Sequence, residues 1–385
     1  MADKFSQNCL NVLERLSVTK NVLVSGPPGT GKSILLGEVA RAFETGVPKA
    51  GSSPTPIHNP KASVPIPPAP ASLDPGLVKA MPCAGKTSRK VFKTVFHQNS
   101  KHRDFATGMI PNVGRKAGDP DFVVITGRLY EASEHAKQPN GASLLVIDEI
   151  NRGPAVQVFG GAIVAIESDK RLDTNGKPTA QTQFFDILDP AGKGMTSYAL
   201  PDDLYILAAM NQADASVEPL DVAFLRRWEP YVLDPSSILL RTHYGIEGAN
   251  AINGDLPEKP TEAKQVFEAS VRAWEKVNRR ISLGRGPEFQ AGHGVLMQGT
   301  SAKMALDEAL RATATAWLKL RAHVQEIFFG DLRAVAATLN AIDGPHFHPL
   351  RLEEIPFADD IRFELTGPSR IGPDQIYGAL RAIAG

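Results

Sequence analysis

An apolar run, Asn21-Val22-Leu23-Val24-Ser25, is followed at once by Gly26-Pro27-Pro28-Gly29-Thr30-Gly31-Lys32-Ser33. The pattern G-x-x-x-x-G-K-S bends successive backbone N–H groups around an oxyanion, and Gly26, Gly29 and Gly31 supply backbone angles that other residues adopt only with strain. Lys32 is placed to reach terminal phosphates and the Ser33 hydroxyl to sit on Mg2+. From Ile34 to Phe43 the chain reads as a helix whose positive N-terminal end faces the same phosphates. Residues 26–34 are thus the candidate nucleotide-binding segment, with strand before and helix after as this chemistry requires.

Hydrolysis needs acidic groups at the end of a neighbouring strand, and Leu144-Leu145-Val146-Ile147-Asp148-Glu149 supplies them. Four consecutive apolar residues suit a strand buried on both faces, as in a parallel sheet. Asp148 is the candidate for the Mg2+ shell together with Ser33, and Glu149 the candidate general base for an attacking water.

These groups need an α/β frame. Apolar runs at about 21–25, 91–96, 144–148, 204–209 and 229–233, separated by helical stretches, describe five parallel strands. Beyond about residue 236 the pattern turns helical: Val266, Phe267, Ser270, Val271, Trp274 and Val277 share one face, as do Leu306, Leu310, Trp317, Leu320, Val324 and Phe328. Residues 46–82 hold ten of the 30 prolines and four charged residues, the composition of an extended, mobile insertion with neither helix nor strand ladder. Residues 170–198 read as a second excursion, a hairpin. The expected division is 1–236 for the nucleotide-binding domain, 237–340 for a helical lid and 341–385 for a C-terminal tail, either partner-docking or extra lid packing.

Composition narrows the class. At 385 residues the chain has length for two domains, and 42 basic against 42 acidic side chains give no global pull toward nucleic acid or membrane. No stretch reads as a signal peptide or membrane span, and two cysteines, Cys9 and Cys83, exclude a disulfide framework; a cytoplasmic setting is expected. His346 and His348 lack the further ligands of a tetrahedral metal site.

The acid pair continues as Ile150-Asn151-Arg152-Gly153, and IDEINRG after GPPGTGKS resembles the AAA+ domain of the McrB family, motor subunits of modification-dependent restriction systems. Other segments are similar to family blocks in the same order: Phe96-His97-Gln98 with Asp104-Phe105, Gly108 and Pro111; Met210-Asn211-Gln212-Ala213-Asp214 with Leu220-Asp221 and Leu225-Arg226-Arg227; Phe289-Gln290-Ala291-Gly292-His293-Gly294; and Gln325-Glu326-Ile327-Phe328-Phe329-Gly330-Asp331. The resemblance covers about residues 10–335. It departs from the family at Gln212, where the pattern has Thr, at Ala215, where it has Arg, and at Phe159-Gly160-Gly161-Ala162, where FGEL is usual, so an Arg and a Glu of the pattern are missing.

The resemblance implies sheet order 5-1-4-3-2, a helical lid, and Asn211 as the first sensor that orients water or touches the γ-phosphate. Asn211…Asp214 is not the base-reading N-K-x-D of small GTPases, since position 212 is Gln. Arg226 or Arg227 would be the arginine finger, a guanidinium being always charged and forked to fit phosphate oxygens, and acting in trans it would complete the site only in an oligomer. His293 would approach nucleotide from the lid or cap a turn. The implied protein is a ring-forming, hexameric NTPase that cuts ATP or GTP with Mg2+ and drives DNA translocation or partner remodelling in restriction or antiviral defence, beside a separate nuclease or effector subunit. With its loop starting at residue 26, such a motor would take DNA recognition from another chain. Two alternatives remain: a MoxR-like chaperone ATPase acting on protein, which does not predict the FHQ and IDEINRG blocks together, and a nucleotide-gated scaffold with little turnover.

Overall fold

The computed structural model describes residues 5–45, 75–116, 118–213 and 220–385, which form two compact units. The first takes residues up to 25 and 32–232; the second takes 26–31 with 233–385.

The first unit is built on five parallel strands, β1 (Asn21–Ser25), β2 (Ser88–Val95), β3 (Gly141–Asp148), β4 (Leu204–Ala209) and β5 (Glu229–Val232). Their spatial order is β2-β3-β4-β1-β5, which is 5-1-4-3-2 read from the other edge. β1 and β4 are buried at every residue and β3 at all but its last, the burial that continuous apolar runs demand when both sheet faces are covered. Helix α1 (Gln7–Thr19) starts under the Ser6 side chain, which accepts from Cys9 N at 3.2 Å, and ends at Lys20 in left-handed backbone. Helix α2 (Lys32–Thr45) leaves the glycine loop two residues earlier than Ile34 and runs two past Phe43. Aromatic rings of Phe96, Phe105, Phe159, Phe224 and Trp228 pack edge-on or tilted at one end of the core.

The expected hairpin in 170–198 is present as Phe185–Leu188 against Met195–Tyr198. A second, Thr107–Pro111 against Phe122–Thr126, was not legible in the sequence. Residues 46–74 of the proline-rich insertion lie outside the described residues, and its end departs from the expected extended chain: Pro75–Ala80 is a helix. Proline at the first helical position loses no hydrogen bond there, and buried Leu77 holds the turn down.

The second unit is mainly helical. Helices α3 (Ala263–Gly284), α4 (Leu306–Ile327) and α5 (Pro373–Ala384) share one apolar core, with Trp317 Nε1 donating to Ser270 Oγ at 3.0 Å. The stretch expected as a tail is part of this body: α5 packs on α3 and α4, preceded by a hairpin, Arg351–Phe357 with Asp360–Thr366. Glu268 is buried on α3 and neutralised by Arg241 (3.2 Å) and Arg272 (2.8 Å). No described helix is long and apolar enough to cross a membrane.

One buried cation fastens the first unit. Arg171, 1% exposed, donates to the Ile166 carbonyl from Nε (3.0 Å) and Nη2 (2.8 Å), to Asn21 Oδ1 (2.7 Å) and to the Leu204 carbonyl. Asn21 in turn donates to Ile166 O at 2.7 Å and Arg227 O at 3.3 Å, so the first residues of β1 and β4 are tied to the root of the 170–198 excursion. Burial pulls the guanidinium down to about 10, still charged at neutral pH. Arg171→Ala removes the guanidinium from two buried acceptors, Asn21 Oδ1 and Leu204 O, at about 1–3 kcal/mol each, the Ile166 carbonyl keeping its bond from Asn21, so urea unfolding should lose at least about 2 kcal/mol; a loss under about 1 kcal/mol would show that the network is not what holds this corner.

Candidate active site

Parallel register brings the strand ends to one level. Ile147 of β3 pairs with Ala208 of β4, and Val24 of β1 with Ala209, while Met210 N adds a bond to Val24 O at 3.0 Å. Asp148, Glu149 and Asn211 therefore leave neighbouring strands side by side.

Ser33, one residue into α2, donates from Oγ to Asp148 Oδ2 at 3.1 Å, and Asp148 Oδ1 accepts the Glu149 N–H at 3.0 Å. A hydroxyl and a carboxylate this close are the hard oxygen pair that Mg2+ takes, so Ser33 and Asp148 fit the ion assigned to them. Bound there, the ion would neutralise charge on phosphate oxygens.

Glu149 sits just past the strand in left-handed backbone, φ 53° and ψ 44°, a conformation that costs a residue with a Cβ on the order of 1 kcal/mol and persists only where its surroundings fix it. Asn211 Nδ2 lies 2.9 Å from Oε1 and 3.1 Å from Oε2, and Arg152 Nε lies 3.1 Å from Oε2. Asn151, buried beside it, donates from Nδ2 to the Asn211 carbonyl at 2.8 Å, so the Asn211 backbone is held by the loop that follows the acid pair. Asn151 and Arg152 belong to the IDEINRG block, but their contacts were not legible from it.

Lys32 opens α2 at 8% exposure. Burial draws its amine down to about 8, against the opposing pull of the Glu149 and Asp148 carboxylates. Lys32, Ser33, Asp148, Glu149 and Asn211 thus form one cluster within the first unit.

The loop ahead of them belongs to the second unit. Gly26, Gly29 and Gly31 all have positive φ (147°, 80° and 89°), and a Cβ on Gly26 would lie 2.4 Å from the Leu233 carbonyl oxygen. Thr30 Oγ1 closes the turn onto the Pro27 carbonyl at 2.9 Å. Ile34 is exposed at 78%. The Pro28 carbonyl accepts from Gly292 N and the Gly29 carbonyl from Gly294 N, both at 2.9 Å. His293 between them is buried, and its Nδ1 accepts from Ser236 N at 3.3 Å; burial lowers its pKa, which keeps the ring neutral and able to accept.

The two arginines differ. Both line an open cleft with Glu167, Ser168 and Asp169, but Arg227 is tied down, its Nε 2.9 Å from Glu167 Oε1 and its Nη1 on the Ala223 carbonyl, whereas Arg226 is exposed. His348 engages backbone through both ring nitrogens, with Nε2 at 2.8 Å from Leu339 O and Nδ1 accepting from Leu350 N at 3.0 Å. Asp214 and Ala215 of the sensor block lie outside the described residues.

A parallel sheet in the order 5-1-4-3-2, with the glycine loop after the first strand and an acid pair after the third, defines a P-loop core of the AAA+ type. No protein-family model matches the chain. Over 295 residues it is 25% identical to the Type IV methyl-directed restriction enzyme EcoKMcrB subunit of Escherichia coli K12, covering 75% of this chain and 50% of that one. It is 28% identical over 218 residues to the Type II restriction enzyme BsuMI component YdiS of Bacillus subtilis 168, covering 55% of this chain and 56% of that one. The chain therefore spans about half the length of the curated relatives it matches. Among solved structures, C. elegans PCH-2 aligns over 80% of this chain and 67% of its own, at 13% identity and a TM-score of 0.31. In sequence the chain is thus similar to McrB-type restriction components.

Between about pH 8 and the ordinary lysine value of 10.5, the folded chain binds fewer protons at Lys32 than the unfolded chain, so this group makes stability rise with pH across that window. Lys32→Met should flatten the rise when chemical unfolding is compared through that range. An unaltered slope would mean that the ammonium is not desolvated in the native protein.

Proposed function

We propose that the chain is a Mg2+-dependent nucleoside triphosphatase that takes ATP or GTP. The observation that carries this reading is the single cluster in which Lys32 faces Asp148 and Glu149 while Ser33 touches Asp148 and Asn211 touches Glu149. In it Lys32 reads the terminal phosphate charge, Ser33 and Asp148 hold the ion, Glu149 takes the proton of the attacking water, and Asn211 orients that water. Asn211 and Arg152 both contact the Glu149 carboxylate in the structure, so an attacking water would share that carboxylate with them.

In this reading the protein works in the cytoplasm as a ring, a hexamer, whose hydrolysis drives DNA translocation or remodelling of a partner. The finger role goes to Arg226, since Arg227 is already held by Glu167 and Ala223. The restriction components among its relatives support a defence role beside a separate nuclease or effector subunit that brings the DNA contact.

Phosphate release tests it. Glu149→Gln should bind nucleotide and lose turnover by about 100-fold or more, the scale of one general base, while Lys32→Ala should lose binding itself. Arg226→Ala subunits mixed with Lys32→Ala subunits should recover activity if the finger acts across an interface, and Arg227→Ala should lower thermal stability as well. Undiminished release from Glu149→Gln would remove that residue from the base role, and absence of hydrolysis with either nucleotide would sink the enzymatic reading.

A further inference from the structure

The phosphate loop is not free to choose its own shape. Gly292 N and Gly294 N hold the carbonyls of Pro28 and Gly29, each at 2.9 Å. In a trans peptide the carbonyl and the following N–H point in opposite directions. Fixing these two carbonyls toward the glycine turn therefore aims the N–H groups of Gly29 and Thr30 the other way, out of the turn; among the described residues neither has a protein acceptor. Those are the donors an anion-binding loop must present.

The turn can do this only because it has no side chains at the contact. A Cβ on Gly292 would lie 2.0 Å from the Gly29 carbonyl carbon and 2.4 Å from Thr30 N, and one on Gly294 would lie 2.8 Å from the Gly29 oxygen. The turn is also held from behind. Asn278, 4% exposed in the middle of α3, clasps Ala291 from both sides: Oδ1 accepts the Ala291 N–H at 2.8 Å and Nδ2 donates to its carbonyl at 2.9 Å. Trp274 Nε1, one turn earlier on α3, adds a second bond to the same carbonyl at 3.1 Å. A rigid chain of contacts therefore runs from α3 through Ala291 and Gly292 to the peptide planes of the loop.

We propose that Asn278 is a positioning residue for nucleotide binding: through Ala291 and the glycine turn it sets the peptide orientation of Pro28–Thr30, so that the loop meets phosphate already shaped. Asn278 touches neither substrate nor ion; it removes the cost of ordering the loop on binding. This rests on the nucleotide reading of the site but makes one claim independent of it, namely that the loop is held by α3 even without ligand.

The test uses the full chain, with mant-ATP and mant-GTP in Mg2+ as probes and with amide hydrogen exchange measured without nucleotide. In Asn278→Ala, exchange in peptides covering residues 27–32 should accelerate at least about tenfold while the middle of α4 is unchanged, and affinity for whichever probe binds wild type should fall at least about tenfold, with kcat at saturation close to wild type. Trp274→Phe, which keeps a ring and deletes one bond, should move the same readouts in the same direction by less, and decides the matter if Asn278→Ala does not fold. Loop exchange and affinity unchanged from wild type would overturn the proposal, as would acceleration spread evenly over the second unit with affinity retained. If wild type binds neither probe, the nucleotide reading fails and loop exchange alone decides whether the hold exists.

Discussion

The structure depends on the in-register parallel pairing of β3, β4 and β1. Each of these strands is buried on both faces, so its register is enforced by apolar packing as well as by the hydrogen-bond ladder, and a slip of one residue would turn every side chain to the opposite face. Because the three strands run the same way and end together, the polar residues at and beyond their ends meet at one edge. Asp148 ends β3 and Glu149 follows it, Asn211 follows β4, and the loop after β1 delivers Lys32 and Ser33 on the first turn of a helix. A site built from the ends of buried strands inherits their rigidity, which suits groups that must hold charge at fixed separations.

Charge and burial are balanced with some care at that edge. Lys32 is desolvated enough to lower its pKa, yet two carboxylates beside it keep it charged at neutral pH. The carboxylate of Glu149 is held by an amide and a guanidinium on a strained backbone. Strain of that kind survives only where neighbours over-determine it, and it concentrates where chemistry needs a side chain in a conformation that the chain alone would avoid.

Much of this was legible beforehand, because the relevant signals are local. The five strands, their order, the helix after the glycine loop and the hairpin within 170–198 follow from apolar runs, glycine placement and one family resemblance. So do the clustered site residues, since a P-loop and an acid pair carry their context in adjacent positions. What stayed hidden depends on partners far apart in sequence. Asn278 sits in an ordinary helical stripe, and nothing in its neighbours signals that it clasps Ala291; Arg171 looks like any surface arginine until Asn21 and Leu204 are folded over it. The helix Pro75–Ala80 was missed because proline richness speaks against helix interiors while tolerating a helix start. The two arginines at 226 and 227 are equal on paper and separate only when Glu167 is seen beside one of them.

The buried Arg171 also bears on how this chain can vary. It closes the base of the excursion, together with the Leu172 N–H bond to the Leu200 carbonyl at 2.9 Å, and both residues lie at the root while the paired strands lie beyond. Between root and tip, Phe185, Ile187 and Tyr198 are buried in the core of the first unit, so the paired strands are pinned and the turn at 190–194 beyond them stands exposed. The loop joining Leu188 to Met195 can therefore lengthen, shorten or change composition over evolutionary time with little penalty to the parent fold, which makes this excursion a natural place for a lineage to diversify, and a convenient one at which to graft a tag or epitope.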